Sequence, residues 1–364
     1  MIDRLLAFSV HNRALILVLT LVFALVGGVA STRVAIDAVP DVTNVQVQVI
    51  TPAPSLGPVD VETYVTFPIE RSMAGLPGLE EVRSISRAGI SVVTLVFSDD
   101  TELYFARQQV SQRLVDARRE IPAGYGEPQL GPISSGLGEV YHFEVKGDAP
   151  LMARRTTLDW QIAPRLRLVP GVVEVNTFGG QAQSMQVALD AKKLAAARVG
   201  VAEVIAAIEK NHMAAGGAYL VDGSEHVTVR GEGRVRTPDD LAQVVVDMRE
   251  DKTPLYLRDL GEIKYAPLVR YGAVTRDGRP DEAVVGVVMM LRGANSGKVV
   301  ADVKEAIADI GKTLPEGMTI DGYYDRTELV HRTIRTVGTN LVEASVLVVI
   351  VLFVTLYNLR AGAI

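Results

Sequence analysis

LPGLEEV (residues 76–82) and VPGVVEV (residues 169–175) stand 93 residues apart and read alike. In each, proline stops a helix, glycine supplies the turn, and β-branched residues open a strand. An apolar strand pattern follows each, ISVVTLVF (90–97) and SMQVALD (184–190). A second landmark also recurs. IPAG (121–124) follows the helical stretch FARQQVSQRLVDARRE, and LPEG (314–317) follows VVADVKEAIADIGKT, 193 residues later. One unit used twice accounts for both pairs, if about 100 extra residues lie inside the second copy.

The first copy reads strand (45–52), helix (59–74), strand, strand, helix, strand, the split β-α-β-β-α-β unit. The second copy starts at EVYHFEV (139–145). The insert covers residues 181–275. It holds helical VAEVIAAIEKNH, a strand pair around Asp222-Gly223, and TPDDLAQVVVDM, whose Thr237-x-x-Asp240 start resembles a capping box. The hairpin GGAYLVDGSEHVTVRG reads either as an exposed arm or as a plain domain hairpin.

Two apolar segments raise mean hydropathy to +0.22, with 48% hydrophobic residues. Residues 14–32 carry no charge over nineteen residues, which is about 28 Å of helix. Residues 341–359 carry one, Glu343, near the start. Both are long enough to cross a bilayer. The first also has features of a secretory signal peptide, although it is longer than a usual signal core and no clean A-x-A site follows it. Residues 1–12, with Ile2, Leu5, Leu6 and Phe8 near helical spacing, suit a helix lying in the interface. Arg4, Arg13 and Arg360 flank the spans on one side, against Arg33 and Arg335 on the other, which puts both termini in the cytoplasm. About 300 residues then lie outside.

The absence of cysteine excludes thiolate metal sites and cysteine catalysis, and fits an oxidising compartment. A net charge of −6 gives no sign of nucleic-acid binding. No HExxH, nucleophile elbow or metal-finger spacing occurs, and no cofactor motif is complete. GANSGKV (293–299) fails the phosphate-loop pattern and is expected to cap a helix through Asn295 or Ser296. His212 and Met213 are helix neighbours that point apart, and Met289 and Met290 face opposite sides of a strand. Glu139 is the candidate cation ligand. Alternation places it on the face of Tyr141 and Phe143, where a carboxylate needs a partner, strand-end exposure or a cation. Glu343, at the outer end of the second segment, is not read as a proton carrier.

DAVPDVTNVQVQV (37–49), FPIERSMAGLPGLEEVRSISRAG (67–89), GPISSGLGEVY (131–141), LDW (158–160) and YDRTELV (324–330) together resemble the resistance-nodulation-division exporters, specifically their heavy-metal, cobalt-zinc-cadmium branch. With the two apolar segments the resemblance covers nearly the whole chain and corresponds to the N-terminal third of such a pump. It implies an α+β membrane protein. Two transmembrane helices flank two ferredoxin-like porter subdomains, the second carrying a docking insert. The implied parts are an interfacial helix and first span (1–33), porter subdomain 1 (34–135), porter subdomain 2 (136–180 and 276–332), the docking insert (181–275), and the second span with the start of the following turn (333–364).

The resemblance further implies an inner-membrane proton/cation antiporter with no cofactor. It would form a homotrimer in membrane lipid, with residues of about 34–335 in the periplasm beside a periplasmic adaptor (membrane fusion) protein and an outer-membrane channel. The hairpin arm would reach the next protomer. Glu139 matches the glutamate of the family's GLGE stretch and would face the porter cleft. Val269, where copper- and silver-exporting relatives carry methionine, favours zinc, cobalt or cadmium as the divalent cation substrate. The family's proton-relay residues and most cation ligands would lie beyond Ile364, so a chain cut there would be inactive alone. A complete two-span protein with a periplasmic binding or scaffold domain is the alternative. A periplasmic enzyme has no catalytic constellation to support it.

Overall fold

The computed structural model describes residues 11–31, 42–212, 214–222, 225–249, 252–270 and 272–356. The interfacial pattern of residues 1–10, all of DAVPD (37–41), Met213, Gly223 and Arg360 lie outside the described residues.

After helix α1 (Arg13–Ser31) the chain forms β1 (Val45–Ala53). Helix α2 then runs through Pro58–Val61, a π-turn at Glu62–Thr66 and Phe67–Met73. Next come β2 (Leu79–Arg87), β3 (Gly89–Phe97), α3 (Leu103–Glu120) and β4 (Gln129–Leu130). The sheet order is β2-β3-β1-β4, antiparallel throughout. In β1, Val45, Val47 and Val49 alternate inward to meet Val61, Ile69, Val110 and Leu114 from α2 and α3. Helices therefore cover one face of the sheet and leave the other open.

The second unit repeats this plan with β5 (Glu139–Lys146), α4, and β6 (Val172–Gly179). Helix α4 runs through Leu151–Thr157, a π-turn at Leu158–Ile162 and Ala163–Leu166. After the insert come β13 (Val284–Met290), α9 (Ser296–Gly311) and β14 (Thr319–Asp325). Its sheet order, β14-β5-β13-β6, matches that of the first sheet position for position. Phe143, Leu158, Leu166, Val288 and Val303 lie in its core.

Both π-turns precede a proline. Phe67 N–H bonds the Glu62 carbonyl, and Ala163 N–H bonds the Leu158 carbonyl, each one residue further back than in an α-helix. Pro68 and Pro164 follow directly. A proline ring inside a helix collides with the carbonyl four residues earlier, and the widened turn removes that collision.

The insert leaves after β6. It comprises β7 (Gln183–Leu189), α5 (Ala191–Ala197), α6 (Val201–Asn211), β8 (Ala214–Asp222), β9 (Glu225–Glu232), α7 (Pro238–Ala242), β10 (Val245–Met248), β11 (Pro254–Tyr256), α8 (Leu257–Leu260) and β12 (Gly261–Pro267). Thr237 accepts a hydrogen bond from Asp240 N at 3.1 Å, and Asp240 accepts one from Thr237 N at 3.0 Å, which closes the capping box. SMQVALD differs from expectation. As β7 it pairs with β12 inside the insert, and the counterpart of β3 is β13, about 100 residues later. A periodicity of two marks a strand but carries no address for its partner.

Helix α10 (Arg326–Leu356) follows β14 with no residue between them. Among the described residues it alone is long and apolar enough to cross a membrane. The apolar helix at Ala14–Ala30 is shorter than that. The described residues thus form a mixed α/β chain with one such helix, where two spans were expected.

Candidate cation site

Glu139 opens β5, and its position is set by a bulge. Val288 stands opposite Tyr141 and Met289 opposite Glu139, so Val140 is the extra residue. Val140, Tyr141 and Phe143 all face the helix-covered core. The slip moves Glu139 to the opposite, open face, and the expected grouping with Tyr141 and Phe143 is overturned.

Its neighbour there is His142. Glu139 Oε2 lies 3.1 Å from His142 Nε2. The approach is off the N–H axis, so Nε2 is buried against the carboxylate without a formal hydrogen bond. The Glu139 side chain is 54% exposed and the His142 side chain 19%. Burial pulls the His142 pKa below the ordinary histidine value, and the Glu139 charge offsets part of that. The imidazole packs against Tyr324 and Tyr323, with ring centroids 4.6 and 5.7 Å away. Met289, directly across from Glu139, pairs on its other side with Glu174 of β6. Two carboxylates therefore flank a thioether in one row across three strands.

Further along the same face, Arg276 reaches Glu144 and Asp321, both at 2.9 Å, and stacks over Tyr323 at 4.8 Å. Lys146 bonds Asp321 at 2.6 Å. Hydrogen bonds from Lys146 and Arg276 hold the Asp321 carboxyl below its usual range. Glu144, Lys146 and Arg276 border a cleft of about 350 Å³ that also takes in Arg154, Asp281 and Glu282. Arg276, Glu144 and Lys146 there are engaged in ion pairs, whereas the Glu139 end offers a half-exposed carboxylate beside an imidazole and a thioether. The oxygen and nitrogen donors here suit a borderline divalent cation, and the thioether is the softer neighbour.

The other singled-out residues stay apart from this end of the sheet. Asn295 caps α9, accepting from Lys298 N at 3.0 Å, which removes the phosphate-loop reading. His212 Nδ1 accepts from Val235 N at 3.3 Å within the insert. Val269 is 85% exposed. Glu343 lies on α10. Among the described residues no group of three or more His, Asp and Glu side chains gathers as a metal cluster. Sequence reasoning missed His142, Met289 and Glu174. His142 was visible as a lone histidine three residues after Glu139, but strict alternation assigns the two to opposite faces.

A chain with two β-α-β-β-α-β sheets, an insert in the second and an apolar helix leading away from it has the outline of part of a membrane transporter. The profile of the AcrB/AcrD/AcrF family matches residues 5–364, and the chain belongs to that family. It is 42% identical over 374 aligned residues to the cation efflux system protein CzcA of Alcaligenes sp., covering 100% of this chain and 35% of that protein. It is 41% identical over 374 residues to the cobalt-zinc-cadmium resistance protein CzcA of Cupriavidus metallidurans, with the same coverage of 100% and 35%. Among solved structures, a heavy metal efflux pump in crystal form II superposes with a TM-score of 0.90 at 31% identity, over 99% of this chain and 36% of that one. The chain spans about a third of the length of the curated relatives it matches.

Proposed function

We propose that the chain forms the N-terminal part of an inner-membrane proton/cation antiporter that exports divalent heavy metals, with zinc, cobalt and cadmium as substrates. The observation that carries this reading is 41% identity along the whole chain to a cobalt-zinc-cadmium resistance protein. On this reading α1 and α10 are the two spans of this part. Residues 34–135 are the first porter subdomain, 136–180 with 276–332 the second, and 181–275 half of a docking region. The assembly is a homotrimer that meets a periplasmic adaptor and an outer-membrane channel. The protein moves cations and catalyses no bond-making step.

Glu139 contributes to cation passage on the open sheet face, with His142 and Met289 beside it. The test is zinc and cobalt resistance in cells expressing the complete protein with Glu139→Gln at the wild-type level. Resistance should fall severalfold. Unchanged resistance would remove Glu139 from the path. Failure of the wild-type protein itself to confer resistance to any of the three metals would remove the transport reading.

A further inference from the structure

The loop that carries Glu139 is held from three directions. Gly131 N–H bonds the Gln48 carbonyl of β1 at 2.7 Å. Arg292 N–H bonds the Ile133 carbonyl at 3.2 Å, and Met290 N–H bonds the Gly138 carbonyl at 2.7 Å, both from the end of β13. The third tie comes from elsewhere. The Arg326 guanidinium donates to the Leu137 carbonyl, two residues before Glu139. Arg326 is 5% exposed and is the first residue of α10.

The start of α10 is built rigidly. Asp325, the last residue of β14, accepts from Thr327 N at 2.8 Å and Thr327 Oγ1 at 2.6 Å, and also takes an ion pair from Lys304 of α9. Burial would raise the Asp325 pKa, but the hydrogen bonds from Lys304 and Thr327 outweigh it and hold the carboxyl ionised. Val330, one turn after Arg326, is buried. A strand thus becomes a capped helix without a flexible residue between.

The apolar part of α10 begins near Leu341, about fifteen residues below Arg326, a lever of ~22 Å. A tilt of ~10° at the membrane would move the top of such a lever by ~4 Å, several times the ~0.5 Å tolerance of a binding constellation.

We propose that Arg326 is a positioning residue, whose bond to the Leu137 carbonyl makes the loop bearing Glu139 travel with helix α10. The consequence for transport rests on the cation-export reading, and the mechanical tie does not. A hydrogen bond from a buried charged donor is among the stronger ones available. The other two ties fix the loop to the two sheets. The Arg326 tie joins it to the helix that enters the membrane.

These 364 residues hold no cysteine, so a label pair introduced among them stands alone once any cysteine elsewhere in the complete protein is replaced. Gly136 is exposed with open space around its Cα, and Thr339 is exposed on α10. We would introduce Gly136→Cys and Thr339→Cys into the complete protein, attach nitroxides, and measure their distance distribution by pulsed electron resonance in lipid nanodiscs. One narrow distribution is expected with Arg326, and also with Arg326→Lys, which keeps a charged donor. Arg326→Met and Arg326→Gln should each broaden it at least twofold while the circular dichroism spectrum stays unchanged. An unbroadened distribution in either folded variant overturns the tie, and so does loss of folding in both, which would make Arg326 a stability residue.

Zinc transport by the complete protein in proteoliposomes is then read beside the distances. Arg326→Met should lower kcat about tenfold with KM within about twofold, and Arg326→Lys should restore most of it. Wild-type turnover despite a broadened distribution overturns the positioning role. Absence of transport in the wild-type protein counts against the export reading and leaves the distance result standing.

Discussion

Gly286 and Phe143 face each other across β13 and β5, and their packing predicts a change of sign. The Phe143 side chain is fully buried, with its ring over Gly286. A Cβ added at residue 286 would meet ring carbons Cε1 and Cε2 at 2.7 and 2.8 Å, and Cζ closer still. Carbons normally rest at ~3.5–4.0 Å, so the ring must move by about an ångström or more in a packed core. Gly286→Ala should therefore destabilise the second sheet by ~1–3 kcal/mol. Phe143→Ala should cost ~3–5 kcal/mol through lost burial and the cavity left behind. In that background the methyl added by Gly286→Ala enters empty space, and a strand alanine is favoured over glycine by ~0.5–1 kcal/mol. The double variant should then be more stable than Phe143→Ala alone, a coupling of ~2 kcal/mol or more. The chain has separate cores, so global melting would blur the result. Hydrogen exchange at the amides of β5 and β13 isolates the sheet. Additivity within about 0.5 kcal/mol would refute the claim that this ring and this glycine specify each other.

His142 makes the second sheet sensitive to acid. Its folded pKa lies below 6.5, so the unfolded chain takes the proton first. The stability it contributes is complete above 6.5 and is lost as pH falls from there toward the folded value. Exchange protection of β5, corrected for the intrinsic rate, should drop between about pH 7.5 and 5, and a flat profile contradicts this. Glu139→Gln removes the charge that supports the imidazolium and should lower the His142 pKa further in an NMR titration, whereas an upward move would show another group in control. Asp325→Ala removes the cap of α10 and should cost ~1–2 kcal/mol, read as faster exchange at residues 327–330. Thr237→Ala should cost ~1 kcal/mol within the insert and leave both four-stranded sheets unchanged, as limited proteolysis of each region can show.

The duplication was legible because its landmarks are backbone chemistry. Gly78 and Gly171 both adopt positive φ, at 72° and 87°, and a proline sits before each in the sequence. Helices α3, α6 and α9 were legible from their apolar spacing, and two caps from Thr237 and Asn295. The family was legible from the stretches around Asn44, Phe67 and Gly138. Partner choice was not. SMQVALD has the pattern of a central strand, and only the three-dimensional path of a long insert decides that it pairs with GEIKYAP. The face of Glu139 was lost to a single bulged residue, Val140, which no spacing rule announces. The same residue hid the contact with His142. The first apolar segment forms helix α1, as its composition suggested, and the residues that follow it lie outside the described ones.

The two π-turns carry a historical consequence. Each gives its helix one residue more than an α-helix needs, and each sits just before Pro68 or Pro164, 96 positions apart. Deleting either extra residue would swing everything upstream by about 100° and drive a carbonyl into the proline ring. The extra residue therefore cannot be lost while the proline stays, and the two are inherited together as one character. Its presence in both units is most simply explained by an ancestor that already held it when it was still a single β-α-β-β-α-β unit, so the widened turn is older than the duplication that opens the sequence to reading.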